Sequence, residues 1–461
     1  MDKRNICLFG NKVQTYKMID SKIINTKELK IIREQSIETL EQLIKPHGLY
    51  ASNMSRWKGC YHHYFGRDTA ITAIFIFEAE KQTGDYVLSA KILKALLALA
   101  KFQGEINNPE SGEEIGKMPH EIVTAEKQID QMTNYWQVYG GNPWYIDPQD
   151  KHIKSWDSVD STPLWLVAVS NFWNEGWIMP DDVCETYIKA VKWCLDNKKN
   201  YHGFLGWTPT ANQPGRLYGG LHNQTWKDSF WAFTYQKGGL PTYPLHDIYT
   251  NGAVWSAFVG ASKVLKDKDK HLSKRCTKAA KELKKSFNKK IQGFRTKGFY
   301  AEALDGQLNQ LSCPSVDVGL VLAFNVNGQC AIQKKYIKKV VKKLISEEFL
   351  DSELGLRTYP KNILNFNPKD EYHRGPNVFW PFAGALVAKG LHDFGYDKEA
   401  NQVTLAMLKG VSKFDGFIEL FIKNNGLATP WHNSETKQSS TLNQAWTAAG
   451  VYYGCNLLLT P

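Results

Sequence analysis

"YHHYFGRDTAITAIFIFEAEKQTGDY", residues 61–86, begins with an aromatic, histidine-rich turn and passes through Gly66, Arg67 and Asp68 into a long apolar run. The spacing of its apolar residues predicts a helix over 67–83. The overlapping stretch "KQTGDYVL" contains a glycine and predicts a short turn into a second helix over 85–103. Because a short turn favours antiparallel neighbours, this part of the chain is predicted to form a helical hairpin.

The same pattern recurs along the chain. Two further short turns, "NEGWIMPDD" and "DFGYDKEA", separate candidate helices in the same way. No alternating series of strands is visible, and only a short hairpin is predicted around 362–370. The periodicity predicts thirteen helices, over residues 27–45, 67–83, 85–103, 118–139, 160–175, 180–198, 246–266, 270–290, 314–325, 333–346, 376–394, 397–413 and 441–459.

About six helical hairpins can close into a ring whose inner helices line an axis and whose outer helices wrap them. Closure removes the exposed ends that an open array would have to cap. We therefore predict an all-α fold, an (α/α)6 toroidal barrel, as a single domain over 27–461 after an N-terminal extension at 1–26. The long loops would gather at the mouths of the ring, with an active-site pocket at one of them.

Composition excludes several classes of protein. The chain has 461 residues, of which 43% are hydrophobic, so it can bury a large core and is neither disordered nor fibrous. No apolar run reaches the roughly 18 residues of a membrane-spanning helix, and the first 20 residues are too polar for a signal peptide. A cytoplasmic protein is the expectation. Its eight cysteines form no CxxC pair, which favours free thiols over a zinc site.

The net charge of +11 is concentrated in two lysine-rich stretches, 263–290 and 334–343. Each stretch has apolar residues at helical spacing, which is typical of an amphipathic helix with a solvated charged face. We therefore predict neither a nucleic-acid nor a membrane partner, although an anionic surface remains the alternative.

Four long loops combine Trp, Tyr, Asp, Glu and Gly. The stretches "SNMSRWKGCYHHYFGRD", "GWTPTANQPGRLYGGLHNQTWKDSFW", "KDEYHRGPNVFWP" and "IKNNGLATPWHNSETKQSSTLNQAW" show this most clearly. Aromatic faces stack on sugar rings, and carboxylates accept hydrogen bonds from sugar hydroxyls. The loops therefore favour a carbohydrate ligand, although aromatic residues in such numbers can also be plain core.

Seven motifs make the carbohydrate hypothesis more specific. Through these motifs, which follow the same order, the chain resembles the amylo-α-1,6-glucosidase domain of glycogen debranching enzymes. The resemblance covers about residues 50–458. It implies an (α/α)6-barrel glycoside hydrolase that releases glucose with inversion, using one acid and one base carboxylate and no cofactor. The motifs are "FGRDTAITAIFIFE" at 65–78, "LALAKFQGEINNPESGEEIGKMPHE" at 97–121, "WDSVDSTPLWL" at 156–166, "NQTWKDS" at 223–229, "YHRGPNVFWP" at 372–381, "FIELF" at 417–421 and "LNQAWTAAG" at 442–450.

The resemblance implies that Asp228 is the general acid and Glu419 the general base. Ile418 stands where the family commonly has proline, which leaves the acid itself untouched. Arg67 and Asp68 would clamp adjacent hydroxyls of the terminal sugar, since one offers a fork of donors and the other a pair of acceptors. The alternatives are a helix cap for each aspartate, a surface partner for Arg67 and an exposed face for Glu419.

For each of the remaining candidate sugar contacts, the alternative interpretation is helix capping, surface exposure or core packing. His62 and His63 have no second pair at ligand spacing, so no metal is predicted. The candidates are Tyr64, Phe65, His120, Glu121, Asp160, Trp226, Lys227, Tyr372, His373, Arg374, Trp380, Gln444 and Trp446.

Three functions stay open at this point. The first is an exo-acting inverting α-glucosidase on α-1,6 or α-1,4 linkages. The second is a hydrolase of a small glycoside or disaccharide, of the trehalase, invertase or mannosylglycerate hydrolase type, because neither a (β/α)8 domain nor a large β-sandwich precedes the predicted barrel. The third is a non-catalytic, sugar-binding regulatory barrel. The sequence predicts no oligomeric state.

Overall fold

The computed structural model describes residues 24–54, 61–139, 144–210, 216, 219–363, 372–434 and 437–460. Most of the predicted N-terminal extension lies outside these residues, as does most of the hairpin expected around 362–370.

The described residues contain thirteen α-helices, one for each predicted helix. Their boundaries differ from the predicted ones by up to eight residues, and α3 continues into a 3-10 turn at Leu99–Phe102. The helices are α1 Thr26–Leu43, α2 Gly66–Thr83, α3 Val87–Ala98, α4 Glu126–Tyr139, α5 Ser161–Asn174, α6 Asp181–Asn200, α7 Ile248–Val264, α8 Lys270–Phe287, α9 Asp317–Ala323, α10 Lys334–Leu344, α11 Pro381–Asp393, α12 Asp397–Val411 and α13 Ala445–Leu459.

Six of these helices contact one another in a closed order. Helix α2 packs on α5, α5 on α7, α7 on α9, α9 on α11, α11 on α13, and α13 returns to α2. Six others each lie mainly against one member of that set: α3 on α2, α6 on α5, α8 on α7, α10 on α9, α12 on α11 and α1 on α13. This order of contacts is the one that a ring of hairpins requires.

Burial divides the helices into the same two sets. Every residue of α13 from Ala445 to Leu457 is buried, and α2 is buried almost throughout from Gly66 to Glu80. By contrast, α10 buries only Ile337, Val340, Val341 and Leu344, while nearly all its lysines are exposed. A helix that is apolar all round needs neighbours on every side, whereas an amphipathic one can face solvent. The prediction that the lysine-rich stretches are solvated faces is confirmed.

The described part of the chain also contains fifteen short strands of two to four residues each. The sequence did not predict these strands. They pair antiparallel in the orders β1-β2, β10-β11, β15-β3, β4-β5-β6, β7-β8-β9 and β12-β13-β14. The strands are β1 Ile44–Lys45, β2 Gly48–Leu49, β3 Ser52–Met54, β4 Tyr64–Phe65, β5 Glu121–Val123, β6 Ile153–Ser155, β7 His246–Asp247, β8 Ala303–Leu304, β9 Gln310–Leu311, β10 Leu350–Asp351, β11 Gly355–Leu356, β12 Val378–Phe379, β13 Phe421–Asn424, β14 Leu427–Pro430 and β15 Leu442–Gln444.

These strands correct three predicted helix starts. Strand β5 occupies the beginning of the helix predicted over 118–139, β12 that of 376–394, and β15 that of 441–459. Strands β4, β7, β12 and β15 lead directly or within one residue into α2, α7, α11 and α13. The first turns of these buried helices therefore have strands beside them, and the candidate site is built there.

The six described cysteines are free thiols, as expected, and all except the half-buried Cys184 are buried. Cys7 and Cys60 lie outside the described residues. Within the described ranges, none of the helices combines the length and the apolar character needed to cross a bilayer.

Candidate functional site

Arg67 lies in the first turn of α2 and is buried, so it is not a surface residue. Its Nε donates to Oδ2 of Asp160 at 2.7 Å, and its Nη2 donates to Oγ of Ser158 at 3.5 Å. Asp160 directly precedes α5, and its Oδ1 accepts from the Ser158 hydroxyl at 2.5 Å. Although burial alone would lower the pKa of Arg67, Asp160 raises it, so the guanidinium stays charged.

Asp68 follows on the same turn and is also buried. Its Oδ1 accepts a hydrogen bond from Nε2 of Gln444 at 3.0 Å, and α2 has no side-chain cap at its N-terminus. Burial raises the pKa of Asp68 to about 7, with a further upward contribution from the charge of Glu419 and against the lowering effect of Arg67. The Asp68 carboxyl group therefore has Gln444 as its hydrogen-bond partner and does not cap the helix.

Asp228 is the most open carboxyl group of the site, with 29% of its side chain exposed. It lies in a loop after α6, well before α7 begins at Ile248, so it caps no helix. Nη1 of Arg67 lies 3.8 Å from its Oδ2, and Nε2 of His373 lies 3.9 Å from its Oδ1. Burial raises the pKa of Asp228 to about 7, and Asp160 and Glu419 add to the rise while Arg67 opposes it.

His373 presents a neutral ring to Asp228. Burial lowers its pKa well below the usual value, and the nearby charges of Lys227 and Arg67 add to this effect. Its Nδ1 lies 2.9 Å from Oγ of Ser229, and its ring stacks on Trp380 at 5.1 Å between centroids. The ring is therefore held in place on two sides.

Glu419 is 3% exposed, so the alternative of an exposed face is wrong. Its Oε1 accepts from the Tyr372 hydroxyl at 2.7 Å, and its Oε2 accepts from the Thr441 amide at 3.0 Å and is 3.2 Å from the Thr441 hydroxyl. Burial raises its pKa above the usual value, whereas these donors favour the carboxylate. The group is thus buried but not unpaired.

One segment joins Glu419 to Asp68. The Thr441 hydroxyl lies 2.8 Å from Oε1 of Gln444, whose Nε2 reaches Asp68. Residues 441–444 lead into α13, and Asp68 lies on α2, which packs against α13. Since the charge of Glu419 raises the pKa of both Asp68 and Asp228, the three carboxyl groups lie within electrostatic reach of one another.

Lys227 and Arg374 belong to a buried ionic network. The Lys227 ammonium lies 2.9 Å from Oε2 of Glu302, 2.5 Å from Oδ2 of Asp317 and 2.7 Å from the Tyr359 hydroxyl. Arg374 Nη1 donates to the other oxygen of Glu302 at 3.0 Å. The three hydrogens of the ammonium group are therefore taken up by protein, which favours a supporting role for Lys227 over sugar contact.

The three tryptophans among the candidate sugar contacts pack among aromatic rings. Trp226, Trp380 and Trp446 are 1%, 2% and 4% exposed. Trp446 stacks on Phe382 at 4.1 Å, and the Trp226 indole donates to Oδ1 of Asp317 at 2.8 Å. Since so little of their ring faces is accessible, the core alternative holds for all three.

His120, Glu121, Tyr64 and Phe65 lie on or directly beside the paired strands β4 and β5, and all are buried. Glu121 Oε1 is 2.5 Å from Nε2 of His63. Burial lowers the pKa of His120 well below its usual value, so the ring is neutral. Tyr64 packs against Tyr50, and Phe65 against His120. Across the described ranges, no group of three His, Cys, Asp or Glu side chains could hold a metal ion.

Sequence reasoning missed several supporting residues. Thr441 and Ser158, which bond to Glu419 and Asp160, were not predicted, nor was the Glu302 and Asp317 pair that neutralises Lys227. A threonine or serine carries no pattern of its own, so no sequence signal pointed to the first two. Glu302 and Asp317 are distant from Lys227 along the chain, and only the fold brings them together.

No family model matches the chain, and no curated protein sequence matches it. Solved structures do match. One is the GH63 mannosylglycerate hydrolase of Thermus thermophilus in complex with Tris, with a TM-score of 0.59 and 13% identity over 92% of this chain and 99% of that one. An uncharacterized conserved protein of the same organism matches with a TM-score of 0.56 and 11% identity, over 92% of this chain and 99% of that one. A glycosidase matches with a TM-score of 0.53 and 11% identity, over 95% of this chain and 100% of that one. At such low identity the likeness concerns the fold, which this chain shares with glycoside hydrolases along nearly its whole length.

Proposed function

We propose that the chain is an (α/α)6-barrel glycoside hydrolase that removes a terminal sugar with inversion at the anomeric carbon. The observation that carries the proposal is the pair Asp228 and Glu419. Asp228 is partly exposed and has a pKa of about 7, whereas Glu419 is buried and accepts hydrogen bonds from Tyr372 and Thr441. The charge of Glu419 also contributes to the raised pKa of Asp228. The closed order of inner helix contacts and the shared fold support the barrel.

Asp228 would be the general acid. A carboxyl group with a pKa of about 7 is protonated in a substantial fraction of molecules at neutral pH, so it can give a proton to the leaving oxygen. The neutral His373 ring at 3.9 Å and the Arg67 guanidinium at 3.8 Å would keep the group oriented. As the proton leaves, Arg67 stabilises the carboxylate that forms.

Glu419 would be the general base. In an inverting reaction a water molecule sits between the base and the anomeric carbon, on the face opposite the acid. Tyr372 and Thr441 fix both carboxylate oxygens, so the base is oriented before the water arrives. The water gives its proton to Glu419 while its oxygen bonds to the anomeric carbon, and the leaving oxygen takes the proton of Asp228.

Arg67 and Asp68 would hold the hydroxyls of the terminal sugar, with Asp160 in support of Arg67. Arg67 and Asp68 share the first turn of a buried helix, and Asp160 fixes the guanidinium. The polar groups of the proposed site are buried except for the partly exposed Asp228, which suits binding of a chain end better than binding along a chain. Exo action is therefore the expectation.

Two substrate classes have separate support. The ordered motifs that resemble amylo-α-1,6-glucosidase favour an α-glucoside with a 1,6 or 1,4 linkage. The mannosylglycerate hydrolase fold favours a compact glycoside, because that structure matches along 99% of its own length, and the same hydrolase in complex with glucose matches with a TM-score of 0.58.

The test is hydrolysis by the purified chain of isomaltose, maltose, panose, trehalose, sucrose and mannosylglycerate, with the released anomer followed by proton NMR. Inversion of an α-linked substrate releases the β-anomer first. We expect Asp228→Asn and Glu419→Gln each to lower kcat by about 10²–10⁴-fold while sugar binding persists. The exposed Asp415→Asn provides a charge-matched control that should keep full activity.

Three results would contradict the assignment. Full activity in either catalytic variant would remove that residue from its role, and release of the α-anomer would exclude inversion. If the wild-type chain binds these sugars but hydrolyses none of them, a non-catalytic sugar-binding barrel replaces the enzyme.

A further inference from the structure

A cavity of about 390 Å³ lies near the proposed catalytic site, and none of the residues proposed to act in that site borders it. It is bordered by the segment around Asn108, by Lys117, and by Tyr201 and Trp207, which follow α6. Its volume lies within the range of small-molecule sites in proteins, which begins at about 300 Å³.

The cavity touches the two segments that carry the proposed site. Val159 and Gln224 both border it, and the Val159 amide donates to the Gln224 carbonyl at 2.8 Å. Val159 directly precedes Asp160, the partner of Arg67, and Gln224 is four residues before Asp228. A ligand in this cavity would therefore contact the backbone that positions both aspartates.

The walls combine aromatic rings with hydrogen-bonding groups. The Trp207 indole is 2% exposed, and its N–H has no hydrogen-bond partner among the described residues. Tyr201 is half-buried at the end of α6, and Asn108 borders the same cavity. Tyr201 and Asn108 therefore offer ring surface and an amide group to a ligand, while the almost fully enclosed Trp207 ring lies in the cavity wall.

The charges of the lining select against an ionic ligand. The buried Lys117 ammonium is 3.1 Å from Oε1 of Glu114 and donates to the Gly112 carbonyl at 3.3 Å. Glu113 also borders the cavity, so one buried cation and two carboxylates line it. A free anion would meet those carboxylates, and a free cation would meet Lys117, whereas neutral hydroxyls can bond to both.

From these features we infer that the cavity is an accessory site for a neutral monosaccharide, separate from the site of hydrolysis. The partly exposed ring of Tyr201, beside donors and acceptors, suits a sugar, whose ring has apolar faces and polar edges. This inference goes beyond the proposed function, because it concerns binding at residues that take no part in the reaction.

The test follows the indole N–H signals of ¹⁵N-labelled full-length chain by NMR during titration with D-glucose, with D-mannose and glycerol as further probes. The Trp207 signal is assigned by its loss in Trp207→Phe. We expect it to shift saturably with glucose in the wild type and in Asp228→Asn. In Thr208→Phe, which fills the cavity from an exposed position, the apparent Kd should rise at least about tenfold. Thr277→Phe, an exposed threonine on α8, is the matched control and should behave as the wild type.

An unmoved Trp207 signal at about 100 mM glucose, roughly a hundredfold above a Kd of ~1 mM, would overturn the inference. So would an unchanged glucose response in Thr208→Phe. Saturation by glycerol alone, with no response to either sugar, would replace the monosaccharide by a smaller polyol and overturn it as stated. The hydrolysis assay is independent of this signal, so failure of the proposed function and failure of the accessory site give different results.

Discussion

Asp228 and Glu419 differ in the way the protein surrounds them. Asp228 is partly open, and the guanidinium and ring nitrogens beside it stand at 3.8 and 3.9 Å. Glu419 is closed off, yet donors reach both of its oxygens. A catalytic acid and base pair usually consists of two carboxyl groups whose surroundings favour different protonation states.

The pH dependence of hydrolysis should reflect this contrast. The acid works only when protonated, and the pKa of Asp228 is about 7, so kcat/KM should fall roughly tenfold per pH unit above about pH 7. The base works only when ionised, so activity should also fall in acid as Glu419 takes up a proton. Measurement of kcat/KM from about pH 4 to 9 checks both limbs. A profile that stays flat above pH 7 would contradict the role of Asp228.

Tyr372→Phe should move only the acidic limb. The phenol donates to ionised Glu419 and so lowers its pKa, and loss of the phenol therefore raises the pKa of Glu419 further. The acidic limb of kcat/KM then shifts to higher pH, while the alkaline limb set by Asp228 stays in place. Tyr396→Phe, between α11 and α12, is the control. Equal movement of both limbs would show that Tyr372 acts on the fold and not on Glu419.

At this scale the sequence provides candidate acids, but it does not predict the residues that surround them. Arg67 and Asp68 were expected together because they are adjacent in the chain, and both are buried in one helical turn. The contact between Tyr372 and Glu419 spans 47 positions and has no local pattern. Lys227 was predicted to contact sugar because its neighbours resemble a motif, but its partners come from residues 302, 317 and 359.

The helices and strands differ in how far the sequence predicts them. All thirteen helices follow from apolar spacing because each is at least seven residues long, enough to show a period of about 3.6. The strands have two to four residues, too few for an alternating pattern to appear. The strands before α2, α7, α11 and α13 are therefore the part of the fold that the sequence could not predict, although they position the first turns of these helices.

Close packing of α9 against α11 gives a matched pair of variants on α11. A methyl group at Gly390 would lie 2.6 Å from Cβ of Leu322 and 2.7 Å from the amide nitrogen of Ala323, so Gly390→Ala should lower the free energy of unfolding by about 1–3 kcal/mol. At Gly384 the nearest atom is 3.7 Å away, so Gly384→Ala should be neutral or stabilise by up to about 1 kcal/mol. Urea unfolding measures both. Equal effects of the two substitutions would contradict the close approach of α9 to α11.

One large hydrophobic core runs through the described part of the molecule. It extends from Ile24 to Leu457 and includes Phe75 of α2, Phe258 of α7 and Leu386 of α11. Two smaller clusters lie beside it, around Phe379 and around Met132. A continuous core favours the single domain predicted over 27–461, because the inner helices all contribute to one apolar interior.

The chain should therefore unfold in one cooperative step. Far-ultraviolet circular dichroism reports on the helices, and tryptophan fluorescence reports on side-chain packing. Both should give the same midpoint in urea, with a single slope. Two separated transitions would divide the chain into independently stable parts and contradict the single domain.

The buried cysteines are unreactive thiols placed in different parts of the molecule. Burial raises the pKa of Cys276, Cys330 and Cys455 to about 12, so these thiols hold their protons at neutral pH and react poorly with alkylating agents. They lie on α8, before α10 and on α13, whereas Cys184 on α6 is half-buried. Alkylation of the native protein should thus modify Cys184 before these three. Mass spectrometry of alkylation at the three buried cysteines would then time the opening of each region without an engineered cysteine.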